Sequence, residues 1–500
     1  MSLVRNSSNP EVKKKANLPD WSALVPVLPG EGPRTQALYA AIRRLIETGA
    51  VPPGAKLPPT RDLATRLRMS RIAVVAAFER LASDGFTVAR VGAGTFVSDA
   101  VPLIGARPVR EGRGRKPEMP LPGTLGVATA DDRSLKIFRA LLSRHLARPG
   151  PEHFHYGEPR GGEGLRTAIA AYLRTARGVR CDAEQIIVTA GTQQGLDLFV
   201  RAMLNPGDGA WIEDPCYPSA RAAFDGNGIR LKGVPVDAEG LDVERGATLM
   251  PDARAVYVTP SHQFPLGVAM SMRRRLALID WARRNDAWIV EDDYDSEFRY
   301  AGPPLTAMQG LDAAGRVVYL GTFSKVLLPG LRIGYAVLPE AVMEKVVALR
   351  ARTDRFPATL AEAALAEFIR EGHLAAHLRR ARRRLAAARD ALAAGLEGGR
   401  GLCVDVPEQG LHLLAGLAPG MRDTELVEPA ASAGLGVRAL SSMAVSEPPR
   451  QGLVIGFSGF APEVLYNAAS AFRASLERLA RGRITPGTSP SRNAQAPCRP

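Results

Sequence analysis

Five short apolar runs recur between residues 185 and 323: QIIVTAG, AWIED, AVYVTP, AWIVEDD and VVYLGTF. Helical patterns separate them. Strands that are apolar along their whole length need cover on both faces, and the intervening helices supply it, so the alternation predicts a parallel α/β sheet. The alternating segment extends from about residue 123 to residue 481. A chain of 500 residues is too long for one core, and at roughly 150 residues per domain it divides into about three structural units.

The remainder is organised around that segment. Residues 1–30 are polar and proline-bearing and are expected to be flexible. Residues 31–98 read as a small compact unit. Residues 99–122 are rich in Pro, Gly and Arg and read as a linker. Residues 482–500 are of low complexity and are expected to be disordered. The net charge is +14. Residues 1–100 carry 14 Lys and Arg against 8 Asp and Glu, and residues 101–120 carry 5 against 2, so 9 of the 14 excess charges lie in the first 120 residues. A polyanion surface such as nucleic acid would be sought there. The four cysteines are scattered without a CxxC pair, which argues against a disulfide framework or zinc site and fits a reducing cytoplasm. No metal is expected. The start has no signal-peptide core, and no run of 18 apolar residues is present to cross a membrane.

In the small unit, TQALYAAIRRLIETGAV places Leu38, Ala41, Ile42, Leu45 and Ile46 on one helical face, with Thr35 as N-cap and Gly49 as stop. Thr60 is expected to cap a second helix with Leu63, Ala64 and Leu67 inward. After a turn at Arg68 and Met69, Ser70 caps a third, with Val74, Phe78 and Leu81 as its core stripe. FTVARVGAGTFV then reads as a β-hairpin. Two short helices joined by a tight turn and followed by a hairpin make a helix-turn-helix with a wing. The stretch resembles the winged-helix DNA-binding domain of GntR-type bacterial regulators, through LPPTRDLATRLRMSR, FERLASDGF and GAGTFV. The implied DNA contacts are Arg61, Ser70 and Arg71 at the recognition helix, with Gly92, Gly94 and Thr95 on the wing.

Four stretches of the large segment carry candidate chemistry. VTAGTQQGLDLF is a strand, a turn and a helix whose N-terminus suits a phosphate. EDPCYP sets Tyr217 at a strand end, where it can stack on a flat ring. EDDYDSEF ends a strand in acids, one of which can bind a protonated ring nitrogen. TFSKVLLPGLRIGY offers the hydroxyls of Thr322 and Ser324, the Lys325 amine and the Arg332 guanidinium. A partly desolvated lysine there can form a Schiff base, and Arg332 can hold a phosphate bidentately.

Together with FHYGEPRGGEGLRTAIAAYL, these stretches resemble fold-type I pyridoxal-phosphate enzymes, the class I aminotransferases, with a smaller C-terminal lobe. With the N-terminal unit the architecture resembles the MocR subfamily of GntR regulators. That resemblance implies pyridoxal 5'-phosphate bound as an aldimine on Lys325. Asp292 pairs with the ring nitrogen, with Asp293 a near competitor, and Tyr294 bonds the ring oxygen. Tyr217 stacks on the ring, and Thr192, Gln193, Thr322, Ser324 and Arg332 hold the phosphate. Tyr156 reaches the phosphate of a partner subunit, implying a homodimer with shared sites.

Two positions depart from the aminotransferase pattern. Phe264 in SHQFPLG stands where those enzymes have an asparagine, leaving His262 or Gln263 to replace it. In GLVIGFSGF, Val454 stands where they have a carboxylate-binding arginine, with Arg438 or Arg450 as substitutes. The expected function is therefore a cytoplasmic, dimeric transcriptional regulator that binds operator DNA and senses pyridoxal phosphate or an amine effector. A working aminotransferase with an accessory DNA-binding domain is the alternative.

Overall fold

The computed structural model describes residues 33–100 and 119–482. The 1–30 start, most of the 99–122 linker and the 482–500 tail beyond Gly482 lie outside the described residues. The chain divides into two compact units, Met1–Pro117 and Glu118–Pro500.

In the first unit, α1 (Arg34–Glu47), α2 (Thr60–Leu67) and α3 (Arg71–Ser83) precede a hairpin of β1 (Thr87–Arg90) and β2 (Gly94–Val97). Their inward faces share one core built on Leu38, Ile42, Leu63, Val74, Phe78 and Leu81. The α2–α3 turn is tight because Arg68 adopts a left-handed conformation (φ 49°) and Ser70 caps α3 through the Ala73 N–H. Two expected caps are corrected. Thr35 lies inside α1, whose N-cap is Pro33, and Thr60 is the first residue of α2, whose N-cap is Pro59. Proline's fixed φ and missing N–H suit the place just before a helix, so neither threonine is needed there.

The second unit is built on an eight-stranded sheet. Its strands are β3 (Ile186–Thr189), β4 (Gly209–Asp214), β5 (Arg230–Asp237), β6 (Gly240–Leu241), β7 (Ala253–Val258), β8 (Trp288–Asp293), β9 (Val317–Thr322) and β10 (Gly334–Val337), in the order β3-β10-β9-β8-β7-β4-β5-β6. The central strands are parallel, but β10 runs antiparallel to both β3 and β9, and β6 antiparallel to β5. The sheet is therefore mixed rather than purely parallel. The 323–333 connection holds no crossover helix, so β10 returns beside β9 in the opposite sense. Both faces are buried, and neighbouring residues alternate between them. Ile212, Tyr257 and Val290 belong to one core, and Trp211, Val256 and Ile289 to the other.

Before the sheet come α4 (Asp132–Ala147) and α5 (Glu163–Arg177), and α6 (Thr192–Met203) follows β3 directly. The smaller lobe has an antiparallel sheet of β11 (Leu402–Asp405), β12 (His412–Leu417), β13 (Arg438–Ala439) and β14 (Gly452–Gly456). An arginine-rich stretch forms the helix His373–Leu396, whose Leu378, Leu385 and Leu392 enter the core.

Candidate functional site

Lys325 lies in the loop between β9 and β10. Thr129 anchors its main chain by donating to the Lys325 and Val326 carbonyls at 2.9 and 2.6 Å. Its Nζ occupies space left by Gly126, where a Cβ would come within 2.7 Å. Burial pulls the amine below the usual lysine value, and Asp295 and Asp292 partly oppose it. Such a lysine supplies a free amine at lower pH than a surface one, which suits attack on a carbonyl.

The sheet alternation separates the two consecutive acids. Asp292 points to the Tyr257 face and accepts from the Tyr257 hydroxyl at 2.6 Å. Its other oxygen is buried with no partner among the described residues. Burial pushes this carboxyl up to about 7, against the Tyr257 hydrogen bond. Asp293 points to the opposite face, where Arg177 grips it at 2.7 Å and Tyr319 donates to it at 2.6 Å. Each carboxylate leaves one oxygen, Oδ1, without a partner among the described residues; they differ in that Asp293 Oδ2 is held by the Arg177 guanidinium and Tyr319, whereas Asp292 Oδ2 has only the Tyr257 hydroxyl.

The start of α6 faces the same loop. Gly191, its N-cap, has φ 106°, and a Cβ placed there would lie 3.6 Å from the Arg332 guanidinium. Arg332 itself sits in a left-handed conformation (φ 52°). Thr192 and Gln193 open the helix, whose first N–H groups have no intrahelical acceptor. The Gln193 amide donates to the Ser219 carbonyl at 2.9 Å. Thr322 accepts from the Ser324 N–H at 3.1 Å, and the Ser324 hydroxyl is buried without a partner among the described residues. A helix start, a guanidinium and an unused hydroxyl are groups that could hold a phosphate.

Aromatic rings close the other side. Phe264 packs edge-on against Tyr217 at 5.6 Å and Tyr294 at 6.0 Å. The Tyr294 hydroxyl lies 3.1 Å from both His262 Nδ1 and the His262 carbonyl. Gln263 is fully used, since its amide donates to the Pro215 and Phe264 carbonyls and its oxygen accepts from Leu266. Tyr156 joins none of these contacts. It is 74% exposed, with its ring against Phe356 and Arg355. Val454 is buried among Leu440 and Met443, while Arg438 and Arg450 are both exposed.

Sequence reasoning did not assign Tyr257, Asp295 or His412. Asp295 was visible in EDDYDSEF, but only the fold shows that it meets His262 at 2.9 Å. Tyr257 and Asp292 are brought together by strand pairing across β7 and β8, for which a single sequence carries no signal.

In the first unit Ser70 and Arg71 are exposed at the start of α3, and Arg61 is exposed in the first turn of α2. Gly92 and Gly94 hold φ values of 72° and 111° in the wing turn, and Thr95 is half-buried beside them. Arg66 in the last turn of α2 and Arg68 at its C-cap are exposed as well.

Residues 34–97 match the family described as bacterial regulatory proteins, gntR family, and residues 128–469 match aminotransferase class I and II. The chain is 35% identical to the probable rhizopine catabolism regulatory protein MocR of Rhizobium meliloti, over 89% of this chain and 94% of that one. It is 36% identical to the HTH-type pyridoxine biosynthesis transcriptional regulator PdxR of Corynebacterium glutamicum, over 86% and 92%. Among solved structures it is similar to Pyrococcus horikoshii kynurenine aminotransferase in complex with PMP. That likeness has a TM-score of 0.66 and 27% identity over 72% of this chain and 91% of that one.

Proposed function

Because the chain belongs to the MocR-type regulators, with a gntR-family unit joined to an aminotransferase class I and II domain, we propose that it is a pyridoxal-phosphate-dependent, DNA-binding transcriptional regulator. Residues 31–98 form its DNA-binding domain and residues 123–481 its cofactor domain. The observation that carries this reading is the desolvated Lys325 amine beside a half-satisfied Asp292, in a chain that also carries a winged helix.

The open groups fit pyridoxal 5'-phosphate. Asp292 Oδ1 suits a protonated ring nitrogen, and Ser324 Oγ, Arg332 and the α6 start suit a phosphate. When bound, the cofactor supplies an electrophilic carbonyl and an electron-withdrawing ring. Lys325 provides the amine that holds it. Tyr217 offers a flat face, and Tyr294 offers a phenol to the ring oxygen. Tyr156 reaches the site of a second copy, so the working unit is a homodimer in the cytoplasm. Arg61, Ser70 and Arg71 meet the operator, with Gly92, Gly94 and Thr95 bringing the wing to the backbone. An amine effector that competes with Lys325 leaves its amine free between Asp292 and Asp295. That changes the local charge and biases the placement of the DNA-binding units.

Amino-group turnover is the second reading, favoured by the Lys325, Asp292 and Tyr294 set. The apolar setting of Val454 counts against it for substrates that carry a carboxylate. The test is visible absorption with added pyridoxal phosphate, beside Lys325→Ala, together with operator binding with and without candidate amines. A band lost in the variant and an affinity that responds to ligand support regulation. Operator affinity indifferent to cofactor and amines defeats the sensing role.

A further inference from the structure

His262, one of the two residues that could stand in for the asparagine displaced by Phe264, lies next to the proposed cofactor site in a buried pair with Asp295. His262 and Asp295 are each 1% exposed. His262 Nδ1 lies 2.9 Å from Asp295 Oδ2 and 3.1 Å from the Tyr294 hydroxyl. An ionised carboxylate only accepts, so Nδ1 carries the hydrogen and directs it between Asp295 and the Tyr294 oxygen. The Tyr294 hydroxyl also lies 3.1 Å from the His262 carbonyl, an acceptor that a cofactor ring oxygen would replace. His262 Nε2 is buried with no partner among the described residues. The ring has been given room, since a Cβ on Gly410 would come 1.9 Å from its Cε1.

The neighbours leave this role to His262. Phe264, between Tyr217 and Tyr294, has no polar atom to offer. The Gln263 amide is spent on main-chain carbonyls and Leu266. His412, on β12, has its ring 4.9 Å from the His262 ring, and its Nε2 is held by the Pro265 carbonyl at 3.1 Å. Burial keeps His412 neutral, with its value drawn down to about 3. The other ionisable groups facing this corner are Lys325 from the β9–β10 loop, Asp292 from β8 and Glu213 from β4.

We propose that Asp295 and His262 form a buried pair that polarises the Tyr294 phenol, making His262 a positioning residue for the ring-oxygen end of the cofactor. This rests on the reading that Lys325 anchors pyridoxal phosphate. A phenol whose oxygen receives a hydrogen bond is a stronger donor through its own O–H. A stronger donor favours the charged form of the oxygen it faces and lowers the pH at which that oxygen, with the nearby amine nitrogen, sheds its shared proton.

The test is a pH titration of the visible band of full-length protein loaded with pyridoxal phosphate. His262→Phe is expected to move the midpoint up by about 0.5 unit or more. His262→Asn, whose amide can replace the Nδ1 donor, is expected to restore it. In a Tyr294→Phe background the His262→Phe shift is expected to vanish, because the effect passes through the phenol. An unchanged midpoint in His262→Phe, or the same shift without the Tyr294 hydroxyl, overturns the proposal. Should His262→Phe not hold the cofactor, Asp295→Asn reads the pair from its other end, and a wild-type midpoint there overturns it. A wild-type band with an unmoved variant sinks this inference alone. No wild-type band sinks the cofactor reading and this inference with it.

Discussion

Tyr257 donates to one oxygen of Asp292 at 2.6 Å and leaves the other without a partner among the described residues. One strand position away, Asp293 likewise leaves Oδ1 without a partner among the described residues, but its Oδ2 is held by both a buried guanidinium and a second tyrosine hydroxyl. Two chemically identical side chains thus have different tasks, and substitutions should separate them. Asp293→Ala strands the Arg177 charge in the core and is expected to cost about 3–5 kcal/mol of stability. Asp292→Asn keeps the Tyr257 hydrogen bond and is expected to fold, with its defect in the cofactor's visible spectrum. Denaturant unfolding and absorption of both variants check this.

The cofactor-free protein should lose stability as pH rises toward neutrality. Asp292 is raised by burial from 3.8 to about 7. A carboxyl raised in the folded state stabilises the fold fully below its unfolded value and loses that contribution as pH climbs through its folded one. Glu213 and Glu291, raised by burial to about 7, add slope of the same sign. Asp292→Asn removes one such group, so its Tm relative to wild type should rise between pH 5 and pH 8, by an amount equivalent to about 1 kcal/mol or more. Thermal melts across that range in the absence of cofactor decide it, and parallel curves would contradict it.

Arg332 stands over the start of α6, where its guanidinium approaches Gly191. Arg332→Ala should weaken pyridoxal-phosphate binding by about tenfold to a hundredfold, the range for losing one hydrogen bond to a charged group. The loss should be smaller for pyridoxal, which lacks the phosphate. Binding titrations with the two ligands make the comparison.

Arg71 opens α3 beside the Ser70 cap. Arg71→Ala should weaken operator binding and, where the contact is to a phosphate, reduce the salt slope by about one. Ser70→Ala should in addition cost about 1 kcal/mol of fold stability through the lost Ala73 N–H contact, a loss that Arg71→Ala does not share. Salt-dependent DNA binding and melting of the two variants distinguish contact from cap.

Local chemistry made much of this protein legible in its sequence. The β-strand runs, the helix-turn-helix with Ser70 as cap, and the lysine loop are contiguous, and their periodicity and turn residues are written in neighbouring positions. The reach of that reading ended where distant residues meet. The antiparallel return of β10 depends on what the 323–333 loop does in space. The division of labour between Asp292 and Asp293 depends on which sheet face holds Arg177 and which holds Tyr257. The meeting of His262 with Asp295, across 33 residues, depends on the ends of β7 and β8 lying side by side. Local propensity and patterning, present in the order of the residues, set which elements form and which chemical groups they carry. Which groups are buried together was settled by folding, because burial, pairing and the shifts they cause arise from contacts that no single stretch of chain contains.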